Sequence, residues 1–406
     1  MDANKNYVNE SKKNILKSII EVLLLLFIIS FTFSISAGNI FLGLLFIFYI
    51  VYKIKRKDLS ISSGLFNKYV LFFFLLSIFS FLKADDLSAS THMIVSPILR
   101  YIIFYFIATE FINTENMKKY LNTFLLSNLI FVLYGIFNYY NNMDFLISPN
   151  QLGTLVTFIF FFFISFSMHK EQNLPLNILY FFLSLASIII LYATNSRGAV
   201  LGFIVSLLLW FGMLVYKNIE NKKILSSMFV LFLVLTTSFF YFLPDNLLEK
   251  FTLLQDIESS GSLNTRVIMW ESSWEMIKSN PVLGVGVGNY RLNFQNYLDE
   301  IGHSQRATRH RHPHNLFLYI AAEQGVFSLL VFLFMYYKAY LLAFENFAKY
   351  KVMTKKSILG LILAAQLTSL FIHSFVDSTA RFGYVGYFIL IFVVFNEKVS
   401  NDFRRK

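Results

Sequence analysis

The sequence predicts an all-α integral membrane protein of about twelve transmembrane helices, with one large extracytoplasmic loop that contains amphipathic helices. Three observations predict it. Of 406 residues, 56% are hydrophobic and only 15% charged, more apolar surface than a soluble domain buries. The apolar residues gather into stretches of about 17 to 25, the length that crosses the hydrocarbon of a bilayer. The basic residues fall in alternate loops. Phenylalanine occurs 49 times, in runs such as Phe72-Phe73-Phe74 and Phe160 to Phe163 that would aggregate in a water-soluble fold. Cysteine is absent, which excludes thiol catalysis, disulfides and iron–sulfur ligation.

In chain order the stretches run Ile15 to Ile35, Ile40 to Ile54, Tyr69 to Leu82, Met93 to Phe111, Leu121 to Tyr140 and Leu152 to Met168. They continue with Leu176 to Ala193, Ala199 to Tyr216, Ile224 to Leu243, Leu316 to Leu342, Ile358 to Phe375 and Phe382 to Phe395. The first is too long for a cleavable signal and has no small-residue cleavage site after it, so it is expected to remain as a helix. Lys12-Lys13, Lys53 to Lys57, Lys118-Lys119, Lys170, Lys217 to Lys223, Lys349 to Lys356 and Arg404 to Lys406 mark one side of the membrane. The loops between them are short and neutral or acidic, as at Asp85-Asp86 and Asp144. By the positive-inside rule both termini are cytoplasmic. The net charge of +11 therefore reads as topology, with no nucleic-acid partner. Three blocks result: helices one to nine in 1–243, a large outer loop in 244–315, and helices ten to twelve with a cytoplasmic tail in 316–406.

Within the loop, Leu247, Phe251, Leu254 and Ile257 share one helical face, and Val267, Trp270, Trp274 and Ile277 recur at spacings of three and four. Both read as amphipathic helices lying on the membrane, with tryptophan at headgroup depth. Arg266, one turn before Trp270, is not required by an interfacial helix, and its guanidinium suits a bidentate grip on phosphate. The segment Asn280 to Tyr290 carries alternating glycines at 284, 286 and 288. It lacks the strand–turn–helix setting of a nucleotide loop. A flexible or tightly turning wall near a substrate, or a plain glycine-rich connector, remains.

The loop ends in Arg306, Arg309, His310, Arg311, His312, Pro313, His314 and Asn315, directly before an apolar helix. Alternate histidines can bind zinc, but flanking arginines repel a dication and no carboxylate is adjacent. A cationic mouth for a phosphate-bearing substrate fits better. His314, at the helix start, is the candidate general base; the plain alternative is an exposed polar residue. Arg197 lies at an outer boundary in Thr194 to Ala199, and Arg100 well inside the fourth helix, where a carboxylate of the bundle is one possible partner. The segment His373 to Arg381 joins the last two helices on the outer side. Arg197, Arg266, His314, Asp377 and Arg381 thus map to one face of the membrane.

Asn195-Ser196-Arg197-Gly198-Ala199, Arg266 with Trp270, the Asn280 to Gly288 segment and His312-Pro313-His314-Asn315 together resemble the O-antigen ligase and polymerase superfamily. The resemblance covers most of the chain, and Asp377 and Arg381 look more like the ligase branch. It implies a membrane glycosyltransferase of type C-like fold in the bacterial inner membrane, multi-pass, with its active site facing the periplasm. The donor would be an undecaprenyl-diphosphate-linked glycan, the acceptor the lipid A core oligosaccharide, and the product lipopolysaccharide. Arg197 and Arg266 would hold the diphosphate, and His314 would orient or deprotonate the acceptor hydroxyl. Arg309, Arg311, His312, Asn315, Asp377 and Arg381 would bind substrate, Asp377 by positioning an arginine or the acceptor. No cofactor or metal is implied, and the sequence has no Asp-x-Asp motif. A polymerase shares nearly every motif. A lipid-linked glycan transporter is expected to show repeat symmetry and mid-membrane binding residues, and a protein-directed oligosaccharyltransferase remains a further alternative.

Overall fold

The computed structural model describes residues 2–58, 60–141, 143, 147–218, 261–300, 312–350, 353–378 and 384–404. Among these residues every regular element is helical. The helices are α1 (Asp2–Phe33), α2 (Ile35–Arg56), α3 (Asn67–Ser80), α4 (Leu87–Met93), α5 (Leu99–Phe111), α6 (Met117–Tyr140) and α7 (Pro149–Ser167). Then come α8 (Leu174–Ala193), α9 (Arg197–Asn218), α10 (Gly261–Ser279), α11 (Tyr290–Glu300), α12 (Leu316–Lys349), α13 (Lys355–His373) and α14 (Tyr384–Arg404). Nine stretches among the described residues are long and apolar enough to cross a membrane. Of the twelve expected, Tyr69 to Leu82 corresponds to the 14-residue α3, the last to α14, whose end is charged, and Ile224 to Leu243 lies outside the described residues. So does the Leu247 to Ile257 stripe.

Starts and stops follow local chemistry. Pro149 opens α7 at its first turn, where a missing N–H costs nothing. Asn173 caps α8 by accepting from Leu176 N. Asn195 takes a left-handed backbone (φ 51°), which asparagine tolerates, and turns the chain from α8 into α9.

The centre of the bundle is α7 and α13. α13 packs on α7, α9, α12 and α14, and α7 also packs on α8 and α9. Phe160 to Phe163 are all at most 1% exposed, with Phe162 edge-on to Phe124 and Phe392. By contrast, Phe72 on α3 is 50% exposed, on surface that lipid covers. Lipid is as apolar as phenylalanine, so shape and polar ties, more than hydrophobicity, hold such helices together. Trp210 Nε1 donates to Ser165 Oγ at 2.9 Å, and Asn346 Nδ2 donates to Asn396 Oδ1 at 2.9 Å.

The two ends of the bundle differ. At one, Lys217 Nζ donates to the carbonyls of Phe347 and Tyr350, and Lys170 N donates to Met353 O, gathering three of the basic loops. At the other, α12 begins beside the end of α13, tied by Leu316 N to Ser374 O at 2.9 Å.

Two helices are broken. A π-helical turn, Ile94–Ile98, holds Pro97 between α4 and α5, absorbing the missing N–H. Tyr101 then meets Gly386 and the Tyr387 ring (centroids 4.8 Å). Arg100 is therefore level with the first turns of α14, not deep in the bundle. In α12, Gly325 has φ 81° and ψ 168°, and a Cβ there would lie 2.0 Å from Val282 O. The glycine segment docks in this break: Val285 N donates to Ala322 O and Val326 N to Pro281 O, both at 2.8 Å. Gly288 N and Tyr290 N donate to the Glu323 carboxylate at 2.9 and 3.1 Å. Of the readings open for this segment, the tightly turning one describes its backbone, with positive φ at Gly284, Gly286 and Gly288.

Candidate functional site

At the end where α12 meets α13, α7, the start of α9 and α10 converge. Asn150, second residue of α7, donates from Nδ2 to Asp377 Oδ2 and accepts at Oδ1 from Ser196 Oγ at 2.7 Å. Asp377 follows α13 and is 5% exposed, its own N–H bonded to His373 O at 2.9 Å. The Nδ1 of His314 lies 3.3 Å from Asp377 Oδ2. His314 has a left-handed backbone (φ 50°) between Pro313 and Asn315. Donation from Nδ1 to Asp377 leaves Nε2 as the basic nitrogen.

Asn315 caps α12, accepting from Phe317 N and Leu318 N at 3.0 Å each, while its Nδ2 donates to Phe375 O at 3.1 Å. Its amide thereby ties the start of α12, next to His314, to the segment that carries Asp377. The rings of His312 and His314 lie 4.4 Å apart. Trp270 Nε1 donates to Pro313 O at 2.9 Å, linking α10 to this turn. The stripe on α10 is split: Val267 and Trp274 are exposed, Ile277 is buried, and Met269 and Met276 form the packed face.

Arg266, half-buried on α10, feels both Asp377 and Arg197. Burial pulls its guanidinium below the ordinary arginine value, Asp377 pulls it back up, and Arg197 lowers it again. For Asp377, burial pushes the carboxyl up, but the hydrogen bond from His314 and the charges of His373, His314 and His312 outweigh it. Its pKa lies below the ordinary value, so Asp377 is a carboxylate at neutral pH. The arrangement is one buried anion paired with an imidazole and felt by the Arg266 guanidinium, which in turn feels Arg197.

His373, last residue of α13, is 1% exposed. Its Nδ1 is 2.7 Å from Thr154 Oγ1, which also donates to Asn150 O at 3.0 Å. Either atom of the His373–Thr154 pair can be the donor, according to the histidine tautomer. His373 Nε2 has no hydrogen-bond partner among the described residues. Gly198 makes room for this ring, since a Cβ would lie 2.5 Å from His373 Cδ2.

Arg197, Arg266, His312, His314, Asn315 and Asp377 are thus gathered at one end, while Arg306, Arg309, Arg311 and Arg381 lie outside the described residues. The sequence did not single out Asn150 or Thr154, nor the contact between Thr154 and His373. The polar pair Asn150-Gln151 after Ser148-Pro149, at an outer helix start, is the signal that points to Asn150. Among the described residues no group of three His, Asp or Glu side chains converges to hold a metal ion.

Beside the site, a cavity of about 260 Å³ opens between α3, α5, α12, α13 and α14. Leu316 and Leu370 line its upper end and Tyr105, Ala339 and Val393 its deeper part, with walls almost wholly hydrocarbon.

A family model described as O-Antigen ligase matches residues 179–333. The matched range includes Arg197, Arg266, the glycine segment and His314, and stops before His373 and Asp377. No curated protein matches the chain.

Proposed function

We propose that this chain, a member of the O-antigen ligase and polymerase superfamily by its matched domain, is an O-antigen ligase. It would transfer polysaccharide from undecaprenyl diphosphate to the lipid A core oligosaccharide on the periplasmic side of the inner membrane, without a metal. The observation that carries this reading is the His314–Asp377 pair, 3.3 Å apart, sharing one end of the bundle with Arg197 and Arg266.

Asp377 holds His314 in the tautomer whose Nε2 is basic. That nitrogen takes the proton of the acceptor hydroxyl as its oxygen attacks the anomeric carbon of the donor sugar. The carbon–oxygen bond to the diphosphate breaks, and undecaprenyl diphosphate leaves with the bonding electrons. Arg197 and Arg266 neutralise the charge that gathers on the diphosphate. The apolar cavity beside the site supports a lipid-linked donor, since it offers hydrocarbon walls to a polyprenyl chain. The basic loops at the opposite end support a cytoplasmic side there and a periplasmic site.

The deciding assay offers the purified protein a purified undecaprenyl-diphosphate glycan and a lipid A core acceptor, with chelator present. Glycan on the acceptor is the expected product. Lengthening of the donor glycan instead would assign a polymerase, which the family match fits equally; neither product would reopen the transporter reading.

A further inference from the structure

The helical stretch from Leu87 to Phe111 has two faces. Met93, Pro97, Ile98 and Tyr101 line the apolar cavity. The other face forms an open groove lined by Ser88, Thr91, His92, Val95, Ser96 and Arg100. Residues 88, 92, 96 and 100 recur every four positions, a spacing that drifts around an α-helix. The wider π turn at Ile94–Ile98 winds the other way relative to that spacing and keeps the four in one row. Ser88, Thr91 and His92 are exposed, and Ser96 and Arg100 are half-exposed.

From the outer rim of the bundle upward, this row of hydroxyls, an imidazole and a guanidinium lies where lipid headgroups, not lipid tails, meet the protein. Internal pairing accounts for Thr91, whose hydroxyl donates to Leu87 O at 2.8 Å, but not for the two basic side chains. Among the described residues no carboxylate lies within ion-pair distance of Arg100 or His92. The nearby acids are turned elsewhere: Asp86 Oδ1 accepts from Ala89 N at 2.9 Å to cap α4, and Asp85 Oδ2 accepts from Asn293 Nδ2 at 3.3 Å. The row ends at Arg100, level with the first turns of α14. A cation there, with hydroxyl donors above it, matches a phosphate ester at the rim of the outer leaflet.

We propose that the groove from Ser88 to Arg100 seats a phosphate of the acceptor glycolipid, a second lipid site beside that of the donor. The proposal rests on the ligase reading for the identity of that lipid. A reaction between two lipid-anchored substrates needs two lateral entries. The cavity provides one, and the groove lies across a single helix from it. The reacting hydroxyl is carried on an oligosaccharide, so its phosphate can be seated across the cavity and one helix from His314.

Binding is measured first, by native mass spectrometry of the purified full chain with lipid A, with enzymatically dephosphorylated lipid A, and with phosphatidylglycerol. The wild type is expected to retain lipid A about tenfold better than the other two, and the His92→Gln/Arg100→Gln double variant to lose that preference. Arg100→Lys keeps the charge and is expected to keep binding, which separates a lost contact from a lost fold. Equal retention of the phosphorylated and dephosphorylated forms, or an unaffected double variant, would overturn the site. Retention of phosphatidylglycerol as strong as that of lipid A would overturn its assignment to the acceptor. In transfer assays, Arg100→Gln should raise KM for the acceptor about tenfold, with kcat and donor KM unchanged. Phosphate-dependent binding by a protein inactive in transfer would leave the groove standing and remove the ligase.

Discussion

Glu323 and Asp377 both carry buried carboxyl groups, 1% and 5% exposed, and they are held in opposite ways. Glu323 accepts from two backbone N–H groups, of Gly288 and Tyr290, on a segment that is itself bonded into the break of α12. Asp377 accepts from side chains, Asn150 of α7 and His314 before α12. Backbone donors are fixed and have nothing further to exchange. Side-chain donors carry further valences: Asn150 reaches on to Ser196, and His314 has a second nitrogen. The first carboxyl group is a clamp; the second, under the proposed function, is the hub of a network that moves a proton and answers a changing charge.

Substitutions that treat the two alike should therefore give unlike results. The largest effects are expected for His314→Ala and Asp377→Asn, each lowering transfer by about 10² or more at unchanged expression and membrane insertion. Normal product from His314→Ala would remove the imidazole from the chemistry. Arg266→Lys comes next, with transfer down about tenfold or more, because a point charge does not replace a bidentate fork; near-normal rates would indicate a general electrostatic role.

Glu323→Gln should reverse the pattern. It is expected to cost about 1–3 kcal/mol of stability, read as a lower melting temperature in detergent, while the surviving folded protein transfers at the wild-type rate. A large rate loss without a loss of stability would erase the distinction between clamp and hub. Gly198→Ala should cost about 1–3 kcal/mol by overpacking and slow transfer several-fold by displacing His373, as seen in kcat at saturating substrates.

The smallest effect concerns pH. The carboxyl of Asp377 lies below its ordinary value, so the stability it contributes is fully present above its unfolded value of about 3.9. It is lost as pH falls through the lower folded value. Melting temperatures taken across that acid range should fall more steeply for wild type than for Asp377→Asn; parallel curves would deny the network its electrostatic character.

Much of this was legible in the residues. Arg197, Arg266 and His314 stand out because charge and imidazole are expensive at a membrane boundary, so their presence there already signals a purpose. Asn150 and His373 do not stand out. Each is a small polar interruption at the end of an apolar helix, and its meaning comes from a partner more than 200 residues away, such as Asp377 for Asn150. The glycine segment was ambiguous for a related reason: alternating glycines permit a turn, and only the α12 break shows which turn.

By itself the sequence determined that the chain is helical and membrane-crossing, and on which side its cationic residues gather. Hydrocarbon imposes length and composition on every helix, and charge imposes orientation, one segment at a time. Only the tertiary structure decided that Phe160 to Phe163 form the core while Phe72 faces outward, that Asn315 is a cap, and that Asp377 joins His314 to α7. In lipid, apolar residues do not reveal their partners, because a neighbouring helix and a lipid tail solvate them equally well. Packing and hydrogen bonding between distant segments make that choice, and no local pattern encodes it.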